Sequence, residues 1–297
     1  MNIHIETARN VCIGTLVAAI AIGCDDEASS AGTGTATLSI EAEDTIPDGL
    51  DPGTELENIV DGWTVRYDRV LVTVGNIVAR SSEAASELSE EDVYLLDLKQ
   101  IPSTGFELLH ASDVDAVRYD EVSFENPVAD ESNERGPSVS PDDLAMMVDN
   151  AWSIYVSGMI TKDGETKTFA WGAEAPTSYT HCGPEDGDLG FAVASGATTS
   201  ATFTIHGDHW FFNGFPEGAE IVERRAQWIA DADLDGDGET TMEELQDTMA
   251  SDVFPSEDYS LASSPIPITT AYDFFVAQSQ TIGHFQGEGE CEWNPEQ

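Results

Sequence analysis

A mainly β fold is predicted: an antiparallel β-sandwich that carries a C-terminal helical addition with one helix–loop–helix. Three observations predict it. About ten short runs with strand-like alternation, separated by turn residues, fill the chain up to residue 205. Helix-start signals with good caps are sparse and cluster in the last third. Apolar residues make up 40% of the 297 and aromatics 8%, enough for a packed interior.

The elements follow in order. Thr37 to Glu41 alternates apolar and polar and starts the sheet. Trp63–Arg66 and Val70–Val74 are two further runs, and Gly75–Asn76 marks a turn before Ile77–Val78. Ser81 to Asp92 is polar and acidic and reads as a loop, followed by strands at Val93–Leu98 and Phe106–His110. Ala116 to Phe124 alternates with a bulge. After a long loop, Ser140 caps a short helix, with Pro141 at its first position and Asp142–Asp143 in its first turn. Trp152–Thr161 and Thr166–Trp171 form a hairpin through Lys162–Asp163–Gly164–Glu165. Phe191–Ala194 and Ala201–Ile205 are strands. Thr270 caps a last helix, with Asp273 three residues on as a partial capping box and Gly283 ending the helix. The expected organisation is a leader at 1–23, a tether at 24–36, a sandwich at 37–215 and a helical region with a disulfide-tied tail at 216–297.

Charge excludes one class of partner. Acidic residues number 57 against 11 basic ones, for a net charge of −46, which repels phosphate backbones. No nucleic-acid partner is expected. Such a surface stays soluble where salt screens repulsion, so a saline habitat and a salt-dependent fold are expected.

Met1 to Asn10 is polar, and Val11 to Gly23 is an apolar run shorter than the ~20 residues of a membrane span. This is the pattern of a secretory signal peptide. The run ends Ala21–Ile22–Gly23–Cys24, followed by Asp25–Asp26. That ending resembles a bacterial lipoprotein box, although Ala21 stands where Leu is usual. The resemblance implies that Cys24 is lipidated and that the chain is anchored in the cell envelope, at the outer membrane or cell surface. Small residues at 21 and 23 also suit ordinary signal-peptide cleavage. Lipidation accounts for the odd cysteine left after the leader is removed, and Cys182 and Cys291 remain to form a disulfide. The segment from Glu27 to Thr35 is small, polar and flexible, as a tether requires.

Asp233 to Glu244 reads DLDGDGETTMEE, a calcium loop. Ca²⁺ takes roughly six to eight oxygen ligands in a flexible shell. Asp233, Asp235 and Asp237 stand at positions 1, 3 and 5, and Gly238 at the sharp turn. Glu239 offers its carbonyl, Thr241 a ligand or a bridging water, and Glu244 a bidentate carboxylate. A frame starting at Asp231 would put Met242 at position 12, where no oxygen could close the shell. The loop resembles an EF-hand, with flanking helices expected from Glu217 to Ala232 and from Met242 to Ala250. Thr240 stands at position 8, where EF-hands carry an apolar residue that pairs with a second loop, and no second loop is present. A constitutively filled structural staple is therefore expected rather than a calcium sensor.

A second metal site is predicted from His181, His206, His209 and His284, with Asp208 as a further ligand or supporting carboxylate. The disulfide would draw the His181 and His284 segments together, and a turn at Gly207 would bring His206 and His209 to one side. Imidazoles with a carboxylate suit Zn²⁺ or Cu²⁺. Glu288 and Glu290 are additional candidates. Each histidine also has a plain structural use, such as bonding a carbonyl or a helix end. The chain shows no G-x-S-x-G, H-E-x-x-H, P-loop or Rossmann glycine pattern. Three functions follow in order: a calcium-stapled envelope module with an unidentified ligand or protein partner, a copper- or zinc-binding protein, and a secreted hydrolase.

Overall fold

The computed structural model describes residues 32–215 and 222–295. The expected leader, Cys24 and nearly all of the tether lie outside the described residues.

Fifteen strands and six helices follow one another among the described residues. In chain order these are β1 (Thr33–Ala42), α1 (Thr45–Asp48), β2 (Thr64–Arg80), β3 (Glu87–Asp97), β4 (Phe106–Asp115), β5 (Arg118–Tyr119), β6 (Glu121–Asn126) and β7 (Glu134–Arg135). Then come α2 (Pro141–Asp149), β8 (Ile154–Lys162), β9 (Glu165–Ala173), β10 (Thr177–Thr180), β11 (Phe191–Ala192) and β12 (Thr198–Ile205). The last part holds α3 (Gln227–Asp231), β13 (Glu239–Thr241), α4 (Met242–Asp247), α5 (Ala250–Val253), α6 (Ala271–Ser279), β14 (Gly283–Phe285) and β15 (Glu292–Pro295). The protein is mainly β, with its helices few and short, as predicted.

Two sheets face each other. The smaller is four-stranded, in the order β14-β12-β1-β4. The larger is nine-stranded and runs β13-β9-β8-β2-β6-β10-β15, with β3 and β7 on its β2 side. Alternation drives the packing: in β1, Ala36, Leu38 and Ile40 are buried, while the residues between them are half-buried. The two inner faces meet where Phe124 of β6 lies 4.5 Å from Phe203 of β12, ring centre to ring centre. Most pairs are antiparallel. Parallel pairs occur at β1–β12, β3–β7 and β9–β13.

Several local expectations need correction. Gly75–Asn76 is not a turn: β2 runs straight through it, with a register shift there and Asn76 at φ 51°. The acidic segment after Ser81 becomes strand from Glu87, because its backbone pairs with β2. Gly283 does not end a helix. It opens β14, which pairs with β12. The helix expected from Glu217 shrinks to α3 among the described residues, because Arg224 is drawn into bridges with Ile59 and Phe212.

The capping predictions agree with the structure. Ser140 and Thr270 each close a capping box, with Asp143 and Asp273 as partners. Cys182 and Cys291 form the disulfide. The C-terminal segment threads back into both sheets, through β13 and β15 in the large one and β14 in the small one.

Candidate metal centres

The first centre grows from the end of β12. In the antiparallel pair β12–β14, Thr204 faces His284, and the His206 N–H donates to the Ile282 carbonyl at 3.0 Å. Residues two apart share a face, so His206 and His284 are diagonal neighbours on one side of the ladder. Beyond His206 the chain turns through Gly207 into a 3₁₀ turn, His209–Phe211. A Cβ on Gly207 would sit 2.6 Å from Ile46 Cγ1, so only glycine allows this close approach. The turn is fixed by Trp210 Nε1, which donates to Ser279 Oγ on α6 at 3.0 Å.

The imidazoles of His206, His209 and His284 converge. Each offers one nitrogen such that all three lie within 4.8 Å of one another. They are 3%, 6% and 8% exposed. Hydrogen bonds set which nitrogens keep lone pairs. A carbonyl only accepts, so His206 Nε2, 3.2 Å from Gly287 O, carries the proton and Nδ1 stays free. Thr281 gives its hydroxyl proton to Gln278 O at 2.9 Å, so it accepts from His209 Nδ1–H at 2.9 Å. That leaves His209 Nε2 as a lone pair, and it faces His284 Nε2 at 3.2 Å. His284 Nδ1 is buried and has no hydrogen-bond partner among the described residues.

Electrostatics favour the neutral form of two of these groups, His209 and His284. Burial pushes His209 well below the ordinary histidine range, helped by His206 and Arg224. Burial does the same to His284, with His206 and His209 adding to it and Asp208 opposing. Neutral imidazole is the form that binds metal.

Carboxylates stand beside the trio. Asp208 is 3% exposed and its Oδ2 accepts from Arg224 Nε at 2.7 Å. Its Oδ1 lies 3.9 Å from His206 Nδ1 and has no hydrogen-bond partner among the described residues. Glu43, at the end of β1, forms a second group with His206 and Asp208 within 4.8 Å. Burial raises its pKa, a Thr45 hydrogen bond opposes this and the Asp208 charge raises it further. His181 does not join the trio. It lies on the same cleft, exposed, with Nδ1 3.1 Å from Glu292. The sequence reading missed Glu43 and Arg224. Arg224 carried a signal, as one of only 11 basic residues, whereas Glu43 was one acid among 57.

The trio opens on a cleft of about 580 Å³. Its walls carry Glu185, Glu288, Glu290 and Glu292, and its rim carries the exposed Leu56 and Leu189.

The second centre is the acidic loop. Oxygens of Asp233, Asp235 and Glu244 lie within 4.8 Å of one another. Asp237 is outside that group, with Oδ1 accepting from the Glu239 N–H at 2.8 Å. Asp233 Oδ1 accepts from Gly236 N at 2.8 Å, and Oδ2 from Gly238 N at 3.1 Å. Glu244 ties the loop's two ends: Oε1 accepts from Leu234 N at 2.9 Å, and Oε2 from Thr241 N at 2.8 Å. Thr241 caps α4. Lys167 Nζ meets Asp233 Oδ2 at 2.6 Å, and this contact, more than the opposing burial, holds the Asp233 carboxyl below its usual range.

Position 8 explains the missing second loop. Glu239–Thr241 forms β13, which pairs with Thr168–Ala170 of β9. Thr240 is fully buried, donates to Ile229 O at 2.8 Å and accepts from Trp171 Nε1 at 2.7 Å. The edge of the large sheet takes the place of a partner loop. No family model, curated protein or solved structure matches this chain, so the chemistry of both centres rests on its own residues.

Proposed function

We propose that this is an exported, envelope-anchored protein whose working centre binds Zn²⁺ or Cu²⁺ through His206, His209 and His284. The observation that carries the reading is the convergence of three buried imidazoles, with His209 Nε2 and His284 Nε2 3.2 Å apart. Two imidazoles on one tetrahedral zinc, each about 2.0–2.1 Å away, place their nitrogens about 3.3 Å apart. Three protein ligands facing a cleft match a centre that keeps a position for water or another ligand. The Gly287 carbonyl supports His206 from behind at Nε2, the usual place for the partner of a metal-bound histidine, and Asp208 Oδ1 stands on the ligand side, 3.9 Å from Nδ1. Nitrogen and carboxylate donors favour Zn²⁺ or Cu²⁺ over Cu⁺, because both cysteines nearby are locked in the disulfide.

The test is metal content of the full chain by mass spectrometry after dialysis against free Zn²⁺ or Cu²⁺. Near one equivalent is expected in the parent, with a loss in His209→Ala and His284→Ala but not in His110→Ala. Equal content in all four overturns the reading.

The acidic loop supports a second role. We infer that it holds Ca²⁺ as a staple, because its short strand is zipped onto β9 and its helices are short. Calcium there would fix the C-terminal segment to the large sheet without signalling.

A further inference from the structure

We propose that Glu288 and Glu290 form a capture station through which a divalent transition-metal ion passes on its way to and from the three histidines. This rests on the reading of the histidine centre given above. It makes that centre exchangeable rather than permanently loaded.

Access comes first. The imidazoles are at most 8% exposed, and all three line the cleft whose wall carries both carboxylates. Both glutamates are exposed on that wall, whereas the nitrogens behind it are buried.

Next is rigidity. Gln286 and Gly287, both at positive φ, turn the chain directly after β14. The turn closes with Phe285 N donating to Gly289 O at 2.8 Å, and Gly183 N donates to Glu290 O at 2.9 Å. A Cβ on Gly289 would lie 2.2 Å from Phe285 O and 2.3 Å from Gly183 O. Glycine therefore lets the segment press against both neighbours. The Cys182–Cys291 bond ties it down one residue later. The two glutamates thus stand on a clamped wall, at i and i+2.

Then comes charge. Neither carboxylate has a hydrogen-bond or ion-pair partner among the described residues, although both are in a cleft that also contains Arg224. Burial pushes the Glu290 carboxyl up, His206 opposes this and Glu288 adds to it. Deeper in the same cleft, Asp208 Oδ1 is buried and unpartnered. The cleft thus carries two unpaired carboxylates on its wall and, at the trio, the one Asp208 oxygen that Arg224 leaves without a partner.

The chemistry is a hand-over. Two oxygens bind a divalent ion weakly and displace part of its water, and imidazole nitrogens then take a borderline metal more tightly. A station occupied only in transit lowers the barrier in both directions. Its loss slows loading and release together and leaves the equilibrium affinity in place.

The experiment uses the full chain with calcium present and Co²⁺ as a coloured probe. Stopped-flow absorbance gives loading, a chelator chase gives release and titration gives Kd. The variants are Glu288→Gln/Glu290→Gln, each single change, and a control pair Glu131→Gln/Glu134→Gln that removes the same charge outside the cleft lining. The expected result is that both rates fall about tenfold in the double variant, less in each single one, with Kd within about twofold of the parent and the control unaffected. Rates equal to the control's overturn the proposal. So does slower loading with unchanged release and a proportionally weaker Kd, which a general field effect would produce. If the parent chain binds no Co²⁺, the histidine reading falls with it; if it binds but the rates do not move, only the capture station falls.

Discussion

The two centres differ in what a single side chain can change. Lys167, one of three lysines in the chain, donates to Asp233 at 2.6 Å with its side chain only 13% exposed. A fixed ammonium next to Asp233 of the acidic loop competes with the calcium ion proposed there. Lys167→Met is therefore expected to tighten calcium binding several-fold, read by calorimetry, whereas unchanged affinity would make Lys167 a bystander. The spacing and types of the histidines were legible in the sequence, because imidazoles are rare in this chain. Their geometry was not. His206 and His284 meet through a strand pair separated by 78 positions, and His181 turns instead to Glu292. Glu43 could not be read at all, since nothing marks one acid among so many.

At the scale of elements, the loop and β9 act as one unit. Trp171 is 2% exposed and its indole N–H satisfies the Thr240 carbonyl. Trp171→Phe leaves that carbonyl without its donor and opens space in the core. A loss of about 2 kcal/mol or more is expected in denaturant unfolding, with a smaller calcium-dependent gain in melting temperature than in the parent. A change within 0.5 kcal/mol, as roughly expected of a surface site, would detach Trp171 from the staple. The same pairing shows why parts of the fold were misread. Thr240 looked like a departure from an EF-hand, yet a partly polar residue fits where a sheet edge and a tryptophan are the partners. Gly75–Asn76 carries turn chemistry, but the 17 residues of β2 are paired on both sides, and the sheet converts the turn into a bulge. Caps were legible because they are local: Ser140 and Thr270 need only the residue three positions on.

For the whole molecule, charge dominates. At −46, self-repulsion opposes the compact state, and salt or divalent cations relieve it. Melting temperature should rise with NaCl in calcium-free buffer, and a flat salt response would contradict the electrostatic account. Acid acts differently, through particular pairs. Burial alone would raise the Asp143 carboxyl, but its hydrogen bonds to Arg69 and Ser140 win and hold it below its ordinary value. Arg69 joins β2 to α2 through that contact at 2.6 Å. A depressed carboxyl stabilises the fold fully above its unfolded pKa of about 3.9 and loses that contribution as pH falls towards its folded value. Asp143→Asn should flatten the stability profile below about pH 4, and an unchanged acid limb would contradict this. The sandwich itself was legible from alternation. The return of the C-terminal segment into both sheets was not, because β13, β14 and β15 are three or four residues long and gain their structure only from their partners.

The central claim is that three imidazoles, one on β14 and two on the chain that leaves β12, hold one transition-metal ion. X-ray absorption at the zinc edge of the zinc-loaded full chain tests it most directly. The account predicts a first shell with three imidazole nitrogens at about 2.0–2.1 Å and the outer-ring scattering that histidine gives. In His284→Ala that histidine signal should fall by roughly a third, or the zinc should be lost. A shell of oxygens alone, as carboxylates of the acidic surface would supply, would contradict it.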